Sequence, residues 1–203
     1  MHSEAVARRE EAVSFVEACL PPVVAGFDFS FGFPEWFARD HGCSTIADVW
    51  ELAERESENW LGSPPMPPFW RDRCEVPAAR QLRRCERALR PAKSIFQLVG
   101  NGQVGAGSVR GMPLLARLRA QGFAIWPFDP PGDRTVVEIY PSRLRALDPA
   151  RFVGLTYASP HERDAVLSAA VMWEHRASFA TLAAATDPVT RIEGDVWMPS
   201  SSP

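Results

Sequence analysis

Apolar and polar positions along the chain follow helical and strand periods in turn. From Ser3 to Leu20 the residues Ala5, Val13, Phe15, Val16 and Leu20 fall on one broad helical face. With Ser3 as N-cap and Pro21 and Pro22 as the stop, they predict a first helix. The next stretch, VVAGFDFSFGFP, is apolar at nearly every position, so Val23 to Phe29 reads as a buried strand entering a Gly/Pro turn. A helix is predicted near Thr45 to Trp60, then a proline-dense loop, GSPPMPPFW, and a second helix over Val76 to Leu89. SIFQLV is short and apolar and fits strand or loop. MPLLARLRAQG reads as a helix stopped by Gly122, FAIWPF as a candidate strand, and TVVEIYP as a strand on its alternation and β-branched content. A long helix follows through SPHERDAVLSAAVMWEHRASFATLAAA, capped by Ser159 with Pro160 in its first turn, and GDVWMP closes the pattern as a short extended piece. Strands alternating with helices predict an α/β or α+β fold with a largely buried sheet. No repeat or long linker divides residues 1–203, so one domain is expected.

Composition narrows this picture. A chain of 203 residues, 46% of them hydrophobic, is long enough to bury a full core. The formal net charge of -3 argues against a surface that coats nucleic acid through general basicity. The cations are almost all Arg and concentrate between Arg71 and Lys93, which fits a local basic groove or a solvated helix face of Arg–Glu pairs. Cys19, Cys43, Cys74 and Cys85 match neither zinc knuckles nor a C-x-x-C turn and read as reduced thiols. No run approaches the roughly 18 apolar residues of a membrane span, and the first residues lack a cleavable apolar region. A cytoplasmic protein without membrane contact is expected.

Gly100, Gly102 and Gly105 spell G-x-G-x-x-G, the pattern of a dinucleotide-binding turn. That turn needs a firm strand before it, a helix starting at the loop and an acid about 20 residues on. The pattern here predicts a helix start only near Gly111 to Leu114, and Asp129 sits in a turn-like stretch, so the dinucleotide reading is disfavoured. The glycines serve either a tight backbone approach or, beside Ser108 and Arg110, a row of N–H groups for a phosphate or another anion.

Three acids stand where apolar residues are expected. Asp28 lies inside an otherwise apolar strand, Glu138 repeats this in TVVEIYP, and Asp164 precedes the small apolar face of the last long helix. Each has an ordinary account: a turn cap, a solvent-facing strand position, and a helix N-terminal charge. Together they match what Mg²⁺ or Mn²⁺ requires, carboxylate oxygens gathered from strand ends and a nearby helix.

VAGFDFSFGFPEWF, KSIFQLVGNGQVGAGSVRGMP, AIWPFD, VVEIYP, DAVLSAAVM and IEGDVWMP resemble, in order, the motifs of a family of bacterial proteins with a domain of unknown function. That family is expected to adopt the ribonuclease H-like fold and to act as a nuclease. The resemblance implies a mixed sheet flanked by helices, with Asp28, Glu138 and Asp164 as catalytic residues around Mg²⁺ or Mn²⁺. It puts Lys93, Ser94, Gln97, the glycines 100, 102 and 105, Ser108 and Arg110 on the substrate side. Ribonuclease H-like domains open with an antiparallel meander whose first strand supplies an acid, and the resemblance implies that this sequence starts at the helix after it, either because a preceding segment is missing or because this member is short. An exposed sheet edge, and a homodimer formed through it, are expected.

The expected function is therefore metal-dependent phosphodiester hydrolysis, with Lys93, Arg110 or loop amides neutralising the phosphate. The alternative is a nucleic-acid or nucleotide-phosphate binding protein of the same fold without turnover. Arg83, Arg84 and Glu86 read as helix-surface residues, with the substrate face as the alternative; no histidine stands in a metal-ligand spacing, and His161, three positions before Asp164, is the one to mutate although no role in the site is expected of it.

Overall fold

The computed structural model describes residues 9–72, 74–89, 91–99, 104–147 and 156–199. In chain order the elements are α1 (Arg9–Ala18), β1 (Val23–Phe27), α2 (Glu35–Asp40), α3 (Ile46–Trp60), α4 (Arg84–Ala88), α5 (Gly105–Ala120), β2 (Ala124–Ile125), β3 (Arg134–Glu138), α6 (Pro141–Leu147), α7 (Pro160–Glu174), α8 (Arg176–Phe179) and α9 (Thr190–Glu193). The strands form one sheet in the order β1-β3-β2, with both pairs parallel. The fold is thus α/β, a small open sheet flanked by helices. The described strands are all parallel, where a mixed sheet was expected.

A parallel sheet covered on both faces needs apolar residues pointing both ways, and β3 supplies them. Val136 joins a large cluster with Phe31, Phe33, Trp50, Met112 and Leu115, while its neighbour Val137 joins Leu144, Val171, Met172, Phe179 and Trp197 on the opposite face. β1 and β2 are the two edges of the sheet, and Val23–Phe27 carries neither charge nor proline along its length.

The best-signalled helices follow their caps. Thr45 and Asp48 form a capping box at the start of α3, each side chain accepting a backbone N–H of the other, at 3.2 and 2.8 Å. Such a cap is worth about 1 kcal/mol, and α3 then buries Ile46, Val49, Trp50, Leu52, Ala53 and Trp60. Ser159 caps α7 by accepting the Glu162 N–H at 3.1 Å, with Pro160 opening the helix.

Three expectations are corrected. The helix over Val76 to Leu89 is instead a 3-10 turn, Ala78–Arg80, followed by the short α4. Arg83 sits between them with extended backbone (ψ 164°), which points its side chain inward rather than along a helix surface. Helix α5 starts at Gly105, not near Gly111. Its glycines and Pro113 lower helix propensity, yet close packing requires glycine at 105 and 111. A Cβ at residue 105 would lie 2.4 Å from the Ile95 carbonyl oxygen. The long final helix stops at Glu174 and resumes as the four-residue α8.

Candidate site at the carboxyl ends of β1 and β3

Phe27 is in register with Glu138, so Asp28 leaves the end of β1 beside the end of β3. In open parallel sheets this is where ligands bind, beyond the carboxyl ends of neighbouring strands. A small cleft of about 30 Å³ lies there, lined by Asp28, Glu138, Lys93, Tyr140, Glu86 and Arg83 among others. The chain returns to the same place near its C-terminal part, where Val196 bridges Glu138 and the Trp197 N–H donates to the Glu138 carbonyl at 2.8 Å.

The floor of the cleft is a buried ionic network. Arg83 is fully buried. Its Nε donates to Glu86 Oε1 at 2.9 Å, and Nη1 donates to Glu138 Oε2 at 2.9 Å and to the Glu193 carbonyl at 2.8 Å. Nη2 completes a two-pronged contact with Glu138 Oε1. Glu138 Oε2 also accepts the Phe31 N–H at 2.9 Å, and Glu86 accepts from the Arg83 N–H and the Ser30 hydroxyl at 2.9 and 3.2 Å. Both carboxylates thus have their donors, the condition for burying charge. One guanidinium serves two carboxylates, however. The guanidinium is held well above its ordinary value, and burial pushes the Glu138 carboxyl up to about 7 against the pull of Arg83.

Asp28 is different. It stands exposed at the rim, and among the described residues no side chain or backbone N–H donates to its carboxyl. Enough protein crowds it that burial raises the carboxyl to about 6; the charge of Asp164 adds to the rise and His161 opposes it. Asp164, at the start of α7, is half-buried and paired with Arg145 of α6, with Arg163 Nε 3.4 Å away.

The structure therefore brings Asp28 and Glu138 to one cleft and Asp164 within electrostatic range of Asp28, while Glu138 is already engaged by Arg83. Among the described residues there is no group of three or more His, Cys, Asp or Glu side chains that could hold a metal ion.

The remaining candidates divide. Lys93, the chain's single lysine, lines the cleft with an exposed side chain. Ser94 is buried and holds the backbone, donating to the Gln81 carbonyl at 2.8 Å and accepting the Phe96 N–H at 3.2 Å. Gln97 donates to the Val99 carbonyl at 2.8 Å and pairs with Trp70. Gly100 and Gly102 lie outside the described residues. The Gly105 N–H is taken by the Gln97 carbonyl at 3.1 Å, and the buried Ser108 hydroxyl accepts the Ser30 N–H at 2.9 Å. Arg110 is exposed against α3, 3.8 Å from Glu58. The helix start at Gly105 removes one objection to a dinucleotide turn, but among the described residues the segment before it carries a single bridge and no strand.

Arg83, Glu86 and Glu193 are the residues the pattern underrated. Glu193 is buried and accepts the backbone N–H groups of Glu35 and Arg84, at 2.8 and 2.5 Å, tying α9 to α2 and α4. The available signal was the Arg83-x-x-Glu86 spacing, which also fits an exposed ion pair. No protein-family profile, curated protein or solved structure matches the chain.

Proposed function

We propose that the cleft beyond β1 and β3 is a phosphodiester-hydrolysing site of nuclease type, dependent on Mg²⁺ or Mn²⁺, in a domain of the ribonuclease H-like kind. The observation that supports this reading is electrostatic: Asp28 lines the strand-end cleft, and the charge of Asp164, from the opposite half of the chain and itself paired with Arg145, adds to the rise that burial imposes on the Asp28 carboxyl. A divalent cation relieves such repulsion, and Asp28 and Asp164 are the residues that would hold it. When bound, such an ion supplies Lewis-acid stabilisation to the oxygens of a phosphoryl group. Lys93 offers an ammonium to a non-bridging phosphate oxygen. Glu138, saturated by Arg83 and the Phe31 N–H, acts as a positioning residue that fixes the ends of β1 and β3.

A second reading, phosphate or nucleic-acid binding without turnover, is favoured by that same saturation of Glu138. Calorimetric titration of the wild type, Asp28→Ala and Asp164→Ala with MgCl₂ and MnCl₂, beside cleavage of a labelled single-stranded oligonucleotide, separates the two. Metal binding and cleavage that both vanish in the variants support the hydrolase. Oligonucleotide binding with neither metal binding nor cleavage supports the second reading, and an inert protein removes both.

A further inference from the structure

The sheet ends at β1, and the hydrogen-bonding groups of that strand divide between its two sides. The Val23 N–H donates to the Asp133 carbonyl at 2.8 Å and the Phe27 carbonyl accepts the Ile139 N–H at 3.0 Å, so the odd-numbered residues face β3. The N–H and C=O groups of Val24 and Gly26 point the other way, and among the described residues they have no hydrogen-bond partner. Edge strands are ordinarily blunted by charge, proline or a bulge. Val23–Phe27 has none of these, and each of its residues is only half-buried.

Helix α7 extends this edge into a two-layer surface. Met172 lies over β1, its sulfur 2.8 Å from where a Cβ at residue 26 would stand. On another side of the helix Asp164 turns to Arg145 of α6, the helix that follows β3. At about 100° per residue, Ala165, Ala169 and Trp173 fall beyond Met172 on the side away from α6, above the free edge of β1. All three are exposed, Trp173 by 68%. The start of α7 lies toward Asp28 and Met172 toward Gly26, so helix and strand run in opposite directions. Leu20, 86% exposed just before β1, therefore shares one end of this surface with Trp173.

The surface is complementary to itself. Antiparallel pairing about a twofold axis at Ala25 sets Val24 opposite Gly26 of the second copy, the arrangement in which both residues donate and accept. The two α7 helices then run antiparallel, and alanines let their axes approach to about 8 Å. Glu162, near the start of one helix, comes toward Arg176, just past the end of the other. An unrelated strand would satisfy the edge but not the alanine face or these charges.

We propose that a second copy of this chain docks on the surface, β1 against β1 and α7 against α7, whatever chemistry the cleft performs. Sedimentation velocity between about 1 and 100 µM is expected to show passage to a species of twice the 22.5 kDa chain mass. Over the same range hydrogen exchange at the Val24 and Gly26 amides should slow by about tenfold or more, while the Val23 amide, held by Asp133, stays unchanged. Ala169→Glu, at an exposed position, sets like charges across the axis and should weaken association by about tenfold or more. A monomer throughout, a dimer indifferent to Ala169→Glu, or Val24 and Gly26 amides that exchange alike at all concentrations would overturn the proposal. In the last case, slow exchange would assign the edge to another part of the same chain.

Discussion

Arg83 and Glu138, 55 residues apart, meet through two parallel N–H···O contacts beneath the cleft, one of them 2.9 Å between Nη1 and Oε2. The pair joins α4 to the last residue of the central strand and sets the level from which Asp28 projects. A planar guanidinium suits this contact because it serves both carboxylate oxygens at once while its Nε reaches Glu86.

Removing the guanidinium leaves two buried carboxylates without their cation. Arg83→Met is expected to lose about 3–5 kcal/mol of stability, and Arg83→Lys to recover little of it, since an ammonium does not reproduce the fork. Urea denaturation measures both. A loss below about 1 kcal/mol for Arg83→Met would show that the network is not a stabilising anchor.

Stability should fall as pH rises from 3.8 toward about 7. Asp28 and Glu138 have folded values of about 6 and about 7, above their ordinary 3.8 and 4.5. Each therefore favours the folded state in its protonated form. The contribution is complete below the ordinary values and is lost as pH climbs through about 6 and about 7. Melting temperatures should decline between pH 3.8 and about 7, and Asp28→Asn should shallow the part of the slope between 3.8 and about 6. A melting temperature that rises over the same interval would contradict the assignment.

Metal affinity should move the opposite way. A carboxylate binds a divalent ion only after losing its proton, so Mn²⁺ affinity is expected to strengthen as pH rises through about 6 and to level off above it. Calorimetry at several pH values reads this directly. Affinity that is flat over the interval would exclude Asp28 as a ligand.

Lys93 and Arg110 should separate. Lys93 faces the cleft, whereas Arg110 lies against Glu58 on α3. Lys93→Ala is expected to weaken oligonucleotide binding and to reduce its logarithmic salt dependence by about 1, while Arg110→Ala leaves both unchanged. The reverse result would shift the substrate path to α3.

Gly105→Ala should loosen the start of α5, because the new Cβ would lie 2.4 Å from the Ile95 carbonyl and 2.7 Å from that of Gln97. Both contacts are with backbone, so the strain is not relieved by a rotamer. A loss of about 1–3 kcal/mol is expected, with faster amide hydrogen exchange at Ser108 and its neighbours.

The parts of the fold that were legible in the sequence carry local signals. Thr45 with Asp48 and Ser159 with Pro160 mark helix starts by chemistry that acts within four residues, and Val136 and Val137 mark a strand buried on both faces. The parts that were not legible depend on distant partners. Arg83 looks like a surface residue until Glu138 and Glu193 arrive beside it, and α5 looks too rich in glycine to start at residue 105 until the carbonyls of Ile95 and Gln97 are seen to forbid any Cβ. At the site, the convergence of Asp28 and Glu138 follows from their shared position at apolar strand ends. The engagement of Glu138 had no local signal at all.

The acceptors of Arg83 have a consequence for biosynthesis. Glu138 and the Glu193 carbonyl are 55 and 110 residues downstream of the guanidinium they hold. At ribosomal speeds of roughly 5–20 residues per second, Glu138 follows that cation by about 3 to 11 seconds and Glu193 by about 5 to 22 seconds, with Glu86 the acidic partner made at once. Over that interval the aromatic residues around Phe31 and Phe33 have no finished lid. The emerging chain is then a natural client for chaperones, and the cleft comes into being only once Glu193 has emerged, rather than by early collapse.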